Sequence, residues 1–250
     1  QRTFFYTHKT KAIQFRLAQL NKLEQLLKSN EDLLNQAIYE DFKKSKFDTY
    51  VTELALLYQD LKDAKRNVRK WSKIKRVGTN MLNFPARSYI IPEPLGVCLV
   101  IGAWNYPYQL TLAPVIAAIA AGNTVVIKPS EMSPKTSALM AKLINENFDS
   151  GFLKVVEGGV TETTALLECK YDKIFFTGSP QVGKIIYQAA AKNLTPVTLE
   201  LGGKSPAIIT ADSNLKMTVK RMVWAKFLNA GQTCIAPDYV LVHKSVEKKL

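Results

Sequence analysis

The pattern of apolar and polar residues changes near residue 90. Before that point apolar residues recur at three- and four-residue spacing, as in "AIQFRLAQLNKLEQLLKSN", which predicts amphipathic helices. We predict three of them, the second beginning after Asn30 as N-cap and the third running from about Thr49 to Trp71. The next segment, "MLNFPARSYIIPEPLG", is interrupted by prolines and is predicted to be extended or hairpin-like.

Beyond residue 90, short apolar runs alternate with helical patterns. Five runs are typical of buried strands: "GVCLVIGAW", "NTVVIKP", "FLKVVEGG", "YDKIFFTG" and "TPVTLELGG". A helical segment separates each run from the next. This alternation predicts an α/β fold, in which N-terminal helices precede a Rossmann-like parallel sheet with helices on both faces. Ligands of such sheets bind at the carboxyl ends of the strands.

Composition narrows the class of protein. Hydrophobic residues make up 47% of the 250 positions, and charged residues 22%, as in globular domains. No apolar run has the length of a membrane span, and no secretory leader opens the sequence. The three cysteines are odd in number and lack the spacing of a metal site or a disulfide framework. We therefore expect no bound metal, free thiols and a cytoplasmic location.

The net charge of +13 allows two interpretations. The segment "KDAKRNVRKWSKIKR" is rich in lysine and arginine, and apolar residues are interleaved with them at helical spacing. A solvated helix face explains this pattern, and so does a surface for nucleic acid or an anionic membrane. Because no nucleic-acid recognition motif accompanies the charge, we favour the solvated face and expect no nucleic-acid partner.

Two predicted strands end in residues suited to a nucleotide. "IFFTGSPQVGK" passes from a strand through Gly178 to Gly183 and into a helix, where unpaired N–H groups attract phosphate. The spacing differs from the usual dinucleotide fingerprint, so an ordinary glycine turn remains an equal alternative. "VVIKPSE" puts Lys128 and Glu131 just past a strand. These side chains suit ribose hydroxyls, or they form a pair at the start of a helix that Ser130 or Ser133 caps.

Three further segments carry candidate catalytic groups. "IGAWNYPY" puts Trp104 and Asn105 at a strand end, where Asn105 either faces the ligand crevice or caps the next helix. "TLELGGKSP" holds Glu200 within an apolar strand, and burial there would favour a protonatable carboxylate that acts as general base. "FLNAGQTCIAPDY" contains Cys234, a candidate nucleophile. We expect Cys98, in a strand, and Cys169, at a helix end, to have no catalytic part.

Five motifs occur together in one order: "AWNYP", "IKPSE", "FTGSPQVG", "LELGGKSP" and "GQTCIAPDY". In this set the chain resembles the aldehyde dehydrogenase superfamily over roughly residues 10–250. The compact N-terminal start before "FRLAQLNKLEQLL" and the segment "LTPVTLELGGKSP" are most similar to its class-three branch, whose members act on medium- and long-chain aliphatic and aromatic aldehydes. The resemblance implies oxidation of such an aldehyde to the carboxylic acid with NAD, or less readily NADP.

The resemblance also implies roles for individual residues. Cys234 would be the nucleophile, the Asn105 amide and the Cys234 N–H would hold the oxyanion, and Glu200 would activate the hydrolytic water. Lys128 and Glu131 would contact the adenosine ribose. The remaining cofactor residues would be those of the variant dinucleotide loop and two along the cofactor path: Gly178, Ser179, Val182, Gly183, Trp104 and Gly202.

Members of this family continue well beyond the catalytic cysteine. We therefore expect the chain to be the N-terminal part of a longer homodimeric protein. The 250 residues alone are expected to be inactive, and a C-terminal membrane anchor of the longer protein would not be visible in them. Its expected parts are 1–80, helices of the cofactor-binding domain, 81–203, the NAD(P)-binding sheet, and 204–250, the start of the catalytic domain. Two alternatives remain: a coenzyme-A-acylating dehydrogenase, against which Glu200 argues, and a non-catalytic basic binding module.

Overall fold

A computed structural model describes all 250 residues. The first part of the chain is helical, with α1 (Arg2–Tyr6), α2 (Ile13–Ser29), α3 (Glu31–Phe42), α4 (Lys46–Thr49) and α5 (Ala55–Trp71). A π-helical turn, Tyr50–Leu54, joins α4 to α5 without a break, so the predicted third helix is confirmed. Asn30 occupies the predicted N-cap position of α3, but its side-chain amide donates back to the Leu26 carbonyl instead of accepting from α3.

The proline-interrupted segment provides one strand of a hairpin, and the other strand lies just before it. Strands β1 (Lys75–Val77) and β2 (Ser88–Ile90) pair antiparallel, with Lys75 opposite Ile90. The central region then alternates as predicted through β3 (Val97–Ile101), α6 (Gln109–Ala121), β4 (Thr124–Lys128), α7 (Pro134–Asn147), β5 (Leu153–Val155), α8 (Val160–Leu167), β6 (Lys173–Gly178), α9 (Pro180–Ala191) and β7 (Val197–Leu201).

These five strands form one parallel sheet in the order β5-β4-β3-β6-β7. The chain moves outward in one direction from β3 through β4 to β5, then crosses back to β6 and continues to β7. The order therefore reverses between β3 and β6. A crevice opens at such a switch point, beyond the carboxyl ends of the two strands, and there doubly wound sheets bind their ligands.

Helices cover both faces of the sheet. Successive residues of β3 point to opposite sides: Cys98 and Val100 join a core of 27 buried residues, while Val97, Leu99 and Ile101 join a second core of nine. The larger core also contains residues of α2, α3 and α5. The N-terminal helices therefore share a core with the sheet.

The last part of the chain forms a separate two-stranded sheet. Strands β8 (Ala207–Ile209) and β9 (Val240–Val242) pair in parallel, and α10 (Leu215–Phe227) lies between them in the sequence. No residue of α10 is buried. Residue 204 lies between β7 and β8, and the domain boundary proposed there stays a prediction.

The basic segment of α5 has the amphipathic character that its sequence indicates. Leu57, Leu61, Ala64 and Val68 are buried on one side, and most of the lysines and arginines between 62 and 76 are exposed. No helix in the structure combines the length and apolar composition needed to cross a membrane.

Candidate active site

The segment after β3 meets the segment that carries Cys234 at the switch point. The Asn105 side-chain amide donates to the Gln232 carbonyl at 2.8 Å, and the Asn229 amide donates to the Asn105 carbonyl at 2.8 Å. Asn105 does not cap α6, since that helix begins four residues later. The structure therefore brings two of the predicted catalytic residues, Asn105 and Cys234, onto adjoining segments.

An unusual backbone turn leads to Cys234. Asn229, Ala230 and Gly231 all have positive φ, at 53°, 55° and 80°. Asparagine and glycine tolerate the left-handed region, but alanine adopts it rarely. The chain thus reverses sharply after α10, and the exposed Cys234 thiol follows three residues later.

Tyr106 makes a second connection between the two segments, which the sequence did not indicate. Its hydroxyl lies 2.5 Å from the Thr233 hydroxyl, next to Cys234. Burial raises the pKa of Tyr106, so the phenol stays protonated at neutral pH. Trp104, on the other side of Asn105, is half-buried, and its ring centroid lies 6.2 Å from that of Phe42.

Lys128 and Glu131 form an ion pair at the carboxyl end of β4. The Lys128 side chain is 2% exposed, and its ammonium donates to Glu131 at 2.9 Å and to the Pro129 carbonyl at 2.8 Å. Partial burial is the largest single influence on Glu131 and opposes its ionisation, but the hydrogen bond and charge of Lys128 together with a backbone hydrogen bond outweigh it and lower the pKa of this carboxyl. The Glu131 side chain remains 52% exposed, so it can still accept hydrogen bonds from a ligand.

The turn from β6 into α9 is built as the sequence predicts. Gly178 ends the strand, and Ser179 is the N-cap, whose hydroxyl accepts from the Val182 N–H at 3.3 Å. Gly183 is buried where α9 approaches β7: a Cβ there would lie 3.1 Å from Leu201. Its small size therefore allows close packing of helix on strand.

The four helices that follow β3 to β6 differ in how their first turns are capped. Glu53 accepts from two N–H groups at the start of α6, Asp41 accepts from two at the start of α7, and Glu162 accepts from the Gly159 N–H at the start of α8. Only α9 is capped by a neutral hydroxyl. Its N-terminus therefore keeps the positive potential that attracts an anion.

The predicted burial of Glu200 is wrong. Glu200 is exposed because β7 is the outermost strand on its side of the sheet, so neighbours on one side alone cover it. It lies opposite Thr177 in the register of β6 and β7, one residue from the Leu201–Gly178 pair. Gly202 is exposed as well, and a Cβ there would meet no atom within 4 Å.

An ion pair joins the segment after Glu200 to the segment after Cys234. Lys204 donates to Asp238 at 2.9 Å, and the Asp238 N–H donates to the Ser205 carbonyl at 3.3 Å. The ends of β3, β6 and β7 and the cysteine segment therefore lie in one region. Glu131 belongs to the neighbouring end of β4.

The other two cysteines lie away from this region, as expected. Cys98 is buried in β3, and burial raises the pKa of its thiol to about 12. Cys169 is exposed just after α8.

Comparison with known proteins identifies relatives along the entire chain. The model of the aldehyde dehydrogenase family matches residues 2–250. The chain is 49% identical over 249 residues to 4,4'-diaponeurosporen-aldehyde dehydrogenase of Staphylococcus aureus, 45% identical to aldehyde dehydrogenase family 3 member A2 of Pongo abelii, and 43% identical to the dimeric NADP-preferring aldehyde dehydrogenase of Rattus norvegicus. Each comparison covers 100% of this chain but only 54%, 51% and 55% of the relative.

Solved structures share the fold. A substrate-bound Staphylococcus aureus AldH superimposes with a TM-score of 0.97 at 48% identity, over 100% of this chain and 54% of that one. A Mycobacterium tuberculosis aldehyde dehydrogenase in complex with NAD+ gives 0.83 at 29% identity, over 94% and 48%. The chain thus spans about half the length of the proteins that it matches.

Proposed function

Since the chain belongs to the aldehyde dehydrogenase family, we propose that the protein oxidises an aldehyde to its carboxylic acid with NAD(P) as hydride acceptor. The observation that carries this proposal is the contact between the Asn105 amide and the Cys234 segment at the switch point of the sheet. It combines an amide donor and a soft nucleophile where doubly wound sheets bind nucleotides. The names of the relatives support the reaction class.

The Cys234 thiolate attacks the aldehyde carbonyl and forms a thiohemiacetal. The developing oxyanion accepts hydrogen bonds from the Asn105 side-chain amide and the Cys234 backbone N–H, and one such donor is worth about 3 kcal/mol of barrier. In this structure one N–H of the Asn105 amide donates to Gln232, and the second N–H of the same amide would serve the oxyanion.

The residues at the neighbouring strand ends fit a dinucleotide. The first turn of α9, with Ser179 and Val182 between Gly178 and Gly183, offers an N-terminus without a capping carboxylate to the phosphates. Lys128 and Glu131 would hold the adenosine ribose, and Trp104 and Gly202 would line the path of the cofactor. Bound there, NAD(P) would supply the hydride acceptor, and loss of hydride from the thiohemiacetal carbon would leave a thioester on Cys234.

Glu200 then removes a proton from the water that hydrolyses the thioester. Its exposure on the outermost strand leaves it accessible to water. A base in this step distinguishes a hydrolytic dehydrogenase from the coenzyme-A-acylating alternative, in which a thiol releases the acyl group.

Two substitutions in the full natural protein test this division of labour. Cys234→Ala should lower aldehyde-dependent NADH formation by about 10³-fold or more, because no covalent intermediate forms. Glu200→Gln should still release one equivalent of NADH per subunit in a burst, while steady-state turnover falls by about 10²-fold or more because thioester hydrolysis stalls. Rapid-mixing absorbance at the NADH band measures both phases.

Two results would contradict these roles. Normal steady-state turnover in Glu200→Gln would remove Glu200 from the mechanism, and a requirement of the natural enzyme for added coenzyme A would favour the acylating alternative. Cys169→Ala is the matched control, since this exposed thiol lies outside the region and its loss should leave both phases unchanged.

The substrate class and the assembly extend the same proposal. We propose medium- or long-chain aliphatic or aromatic aldehydes, in line with relatives named as family 3 members. A homodimer and a cytoplasmic location remain predictions. The dimeric rat relative and the three unpaired cysteines of this chain support them.

A further inference from the structure

A buried ion pair lies behind the candidate active site. Glu53, in the π-helical turn between α4 and α5, is 0% exposed. Its Oε1 accepts a hydrogen bond from the Lys44 ammonium at 2.8 Å, and the Lys44 side chain is only 7% exposed. Burial of two charges costs several kcal/mol of desolvation per ion, so further polar contacts have to offset that cost.

Those further contacts all lie on the segment that follows Asn105. The second oxygen of Glu53, Oε2, accepts from the Tyr108 N–H at 2.8 Å and from the Gln109 N–H at 3.3 Å, where α6 begins. The Lys44 ammonium lies 4.8 Å from the centroid of the Tyr106 ring, which is the geometry of a cation–π contact. The pair thus fixes two positions in the short stretch between Asn105 and α6.

The same stretch holds the cysteine segment. The Tyr106 hydroxyl is bonded to Thr233, and Asn105 is bonded to Gln232 and Asn229. A continuous series of contacts therefore runs from Glu53 and Lys44 through Tyr106 to the residue before Cys234. Glu53 and Lys44 themselves make no hydrogen bond to the thiol or to the residues assigned to the cofactor.

We propose that Lys44 and Glu53 are positioning residues, which act through Tyr106 and the first turn of α6 to hold the Asn105 amide and the Cys234 segment in their catalytic arrangement. The catalytic part of this inference rests on the proposed function; the positional part does not. The Tyr108 N–H donates to the Glu53 carboxylate. Removal of that charge therefore loosens the start of α6 and the short stretch between Asn105 and α6.

Hydrogen exchange tests the positional part without substrate or cofactor. In the full natural protein, Glu53→Gln and Tyr106→Phe should each accelerate amide exchange in the peptide of residues 228–236 by about fivefold or more, because each removes a contact that holds it. The peptide of residues 97–101, in the central strand β3, should exchange as in the unmodified protein and reports any general loss of stability. Tyr106→Phe removes one oxygen atom, so it keeps the test valid if Glu53→Gln folds poorly.

The double variant shows whether the two contacts act in one series. If Glu53 works through Tyr106, exchange in Glu53→Gln/Tyr106→Phe should exceed that of the faster single variant by less than about twofold. Multiplied single effects would overturn the part of the inference that runs through Tyr106. Lys46→Met is the matched control: Lys46 pairs with Asp32 at 2.7 Å on the exposed surface nearby, so its loss should leave the 228–236 peptide unchanged. Equal acceleration in this control would also overturn the inference.

Single-turnover kinetics tests the catalytic part. Glu53→Gln should lower the rate constant of the NADH burst by about tenfold while the burst amplitude per folded subunit is preserved, because misplacement slows chemistry and misfolding lowers amplitude. A loosened loop with an unchanged burst rate constant would make the pair purely structural and overturn the proposal. If the natural protein oxidises no aldehyde at all, the proposed function fails, and the exchange experiment still decides whether the pair positions the loop.

Discussion

We propose that Glu131 is the residue that distinguishes the two nicotinamide cofactors. Its carboxylate, half exposed beyond β4, would lie near the 2′-phosphate that NADP carries and NAD lacks. Two like charges about 4 Å apart cost roughly 1 kcal/mol in water-like surroundings. Lys128, 2.9 Å from the carboxylate, offsets part of this repulsion. We therefore expect preference for NAD, with NADP accepted at higher concentration, although the rat relative is named NADP-preferring.

Glu131→Gln tests this preference. The substitution should lower the KM for NADP by about fivefold, the equivalent of roughly 1 kcal/mol, and change the KM for NAD less. Steady-state kinetics with both cofactors measures the ratio. Glu168→Gln is the control. Glu168 also pairs with a lysine, Lys192, but this pair is exposed and is not assigned to the cofactor. An unchanged NAD:NADP ratio in Glu131→Gln would place the ribose elsewhere.

At the scale of elements, the first turns of α6 and α7 depend on carboxylates from the N-terminal helical part. Asp41 of α3 accepts from the Lys135 N–H at 3.0 Å, the Thr136 N–H at 2.8 Å and the Thr136 hydroxyl at 2.7 Å. The residue at the N-cap of α7 itself, Ser133, makes no such bond and donates its hydroxyl to Ser130. The predicted serine cap is therefore replaced by a partner distant in sequence.

Asp41→Ala should destabilise the protein by about 2 kcal/mol, because it leaves two N–H groups of α7 without a partner. Ser133→Ala should cost less than about 1 kcal/mol, since its hydroxyl caps nothing in α7. Urea denaturation of both variants gives the two values. A Ser133 variant as unstable as the Asp41 variant would contradict this capping scheme.

At the scale of the whole molecule, buried acidic groups limit stability at alkaline pH. Burial raises the pKa of Cys98 to about 12, and burial also raises the pKa of Tyr108, which is 0% exposed, far above its usual range. At pH values between the ordinary and the raised pKa, the unfolded chain has released these protons and the folded chain retains them. The folded state then binds more protons, so the free energy of unfolding falls as pH rises.

We expect the Cys98 contribution to cost about 2 kcal/mol of stability between pH 8 and pH 10.5. Urea denaturation at the two pH values measures the difference. In Cys98→Ala the difference should shrink by that amount, whatever the variant loses in packing at both pH values. A pH difference identical in Cys98→Ala and the unmodified protein would show that Cys98 ionises freely in the folded state.

Sequence periodicity determined the helices and strands, because apolar spacing and turn residues act within short stretches of chain. It therefore sufficed for the five strands, the helices between them, the extended segment after α5 and the burial of Cys98. The motifs also indicated the family. The catalytic and cofactor roles of the named residues stay predictions.

Lateral strand order and burial were decided only in the tertiary structure, because they depend on contacts between residues far apart in sequence. Glu200 and Glu53 both stand in apolar runs, "TLELG" and "VTELALL", yet the outermost strand exposes the first and the helical layer buries the second. Glu53 meets Tyr108 across 55 positions, and Asn105 meets Gln232 across 127. Local spacing carries no information about such pairs, and packing of the complete sheet and its helices brings them together.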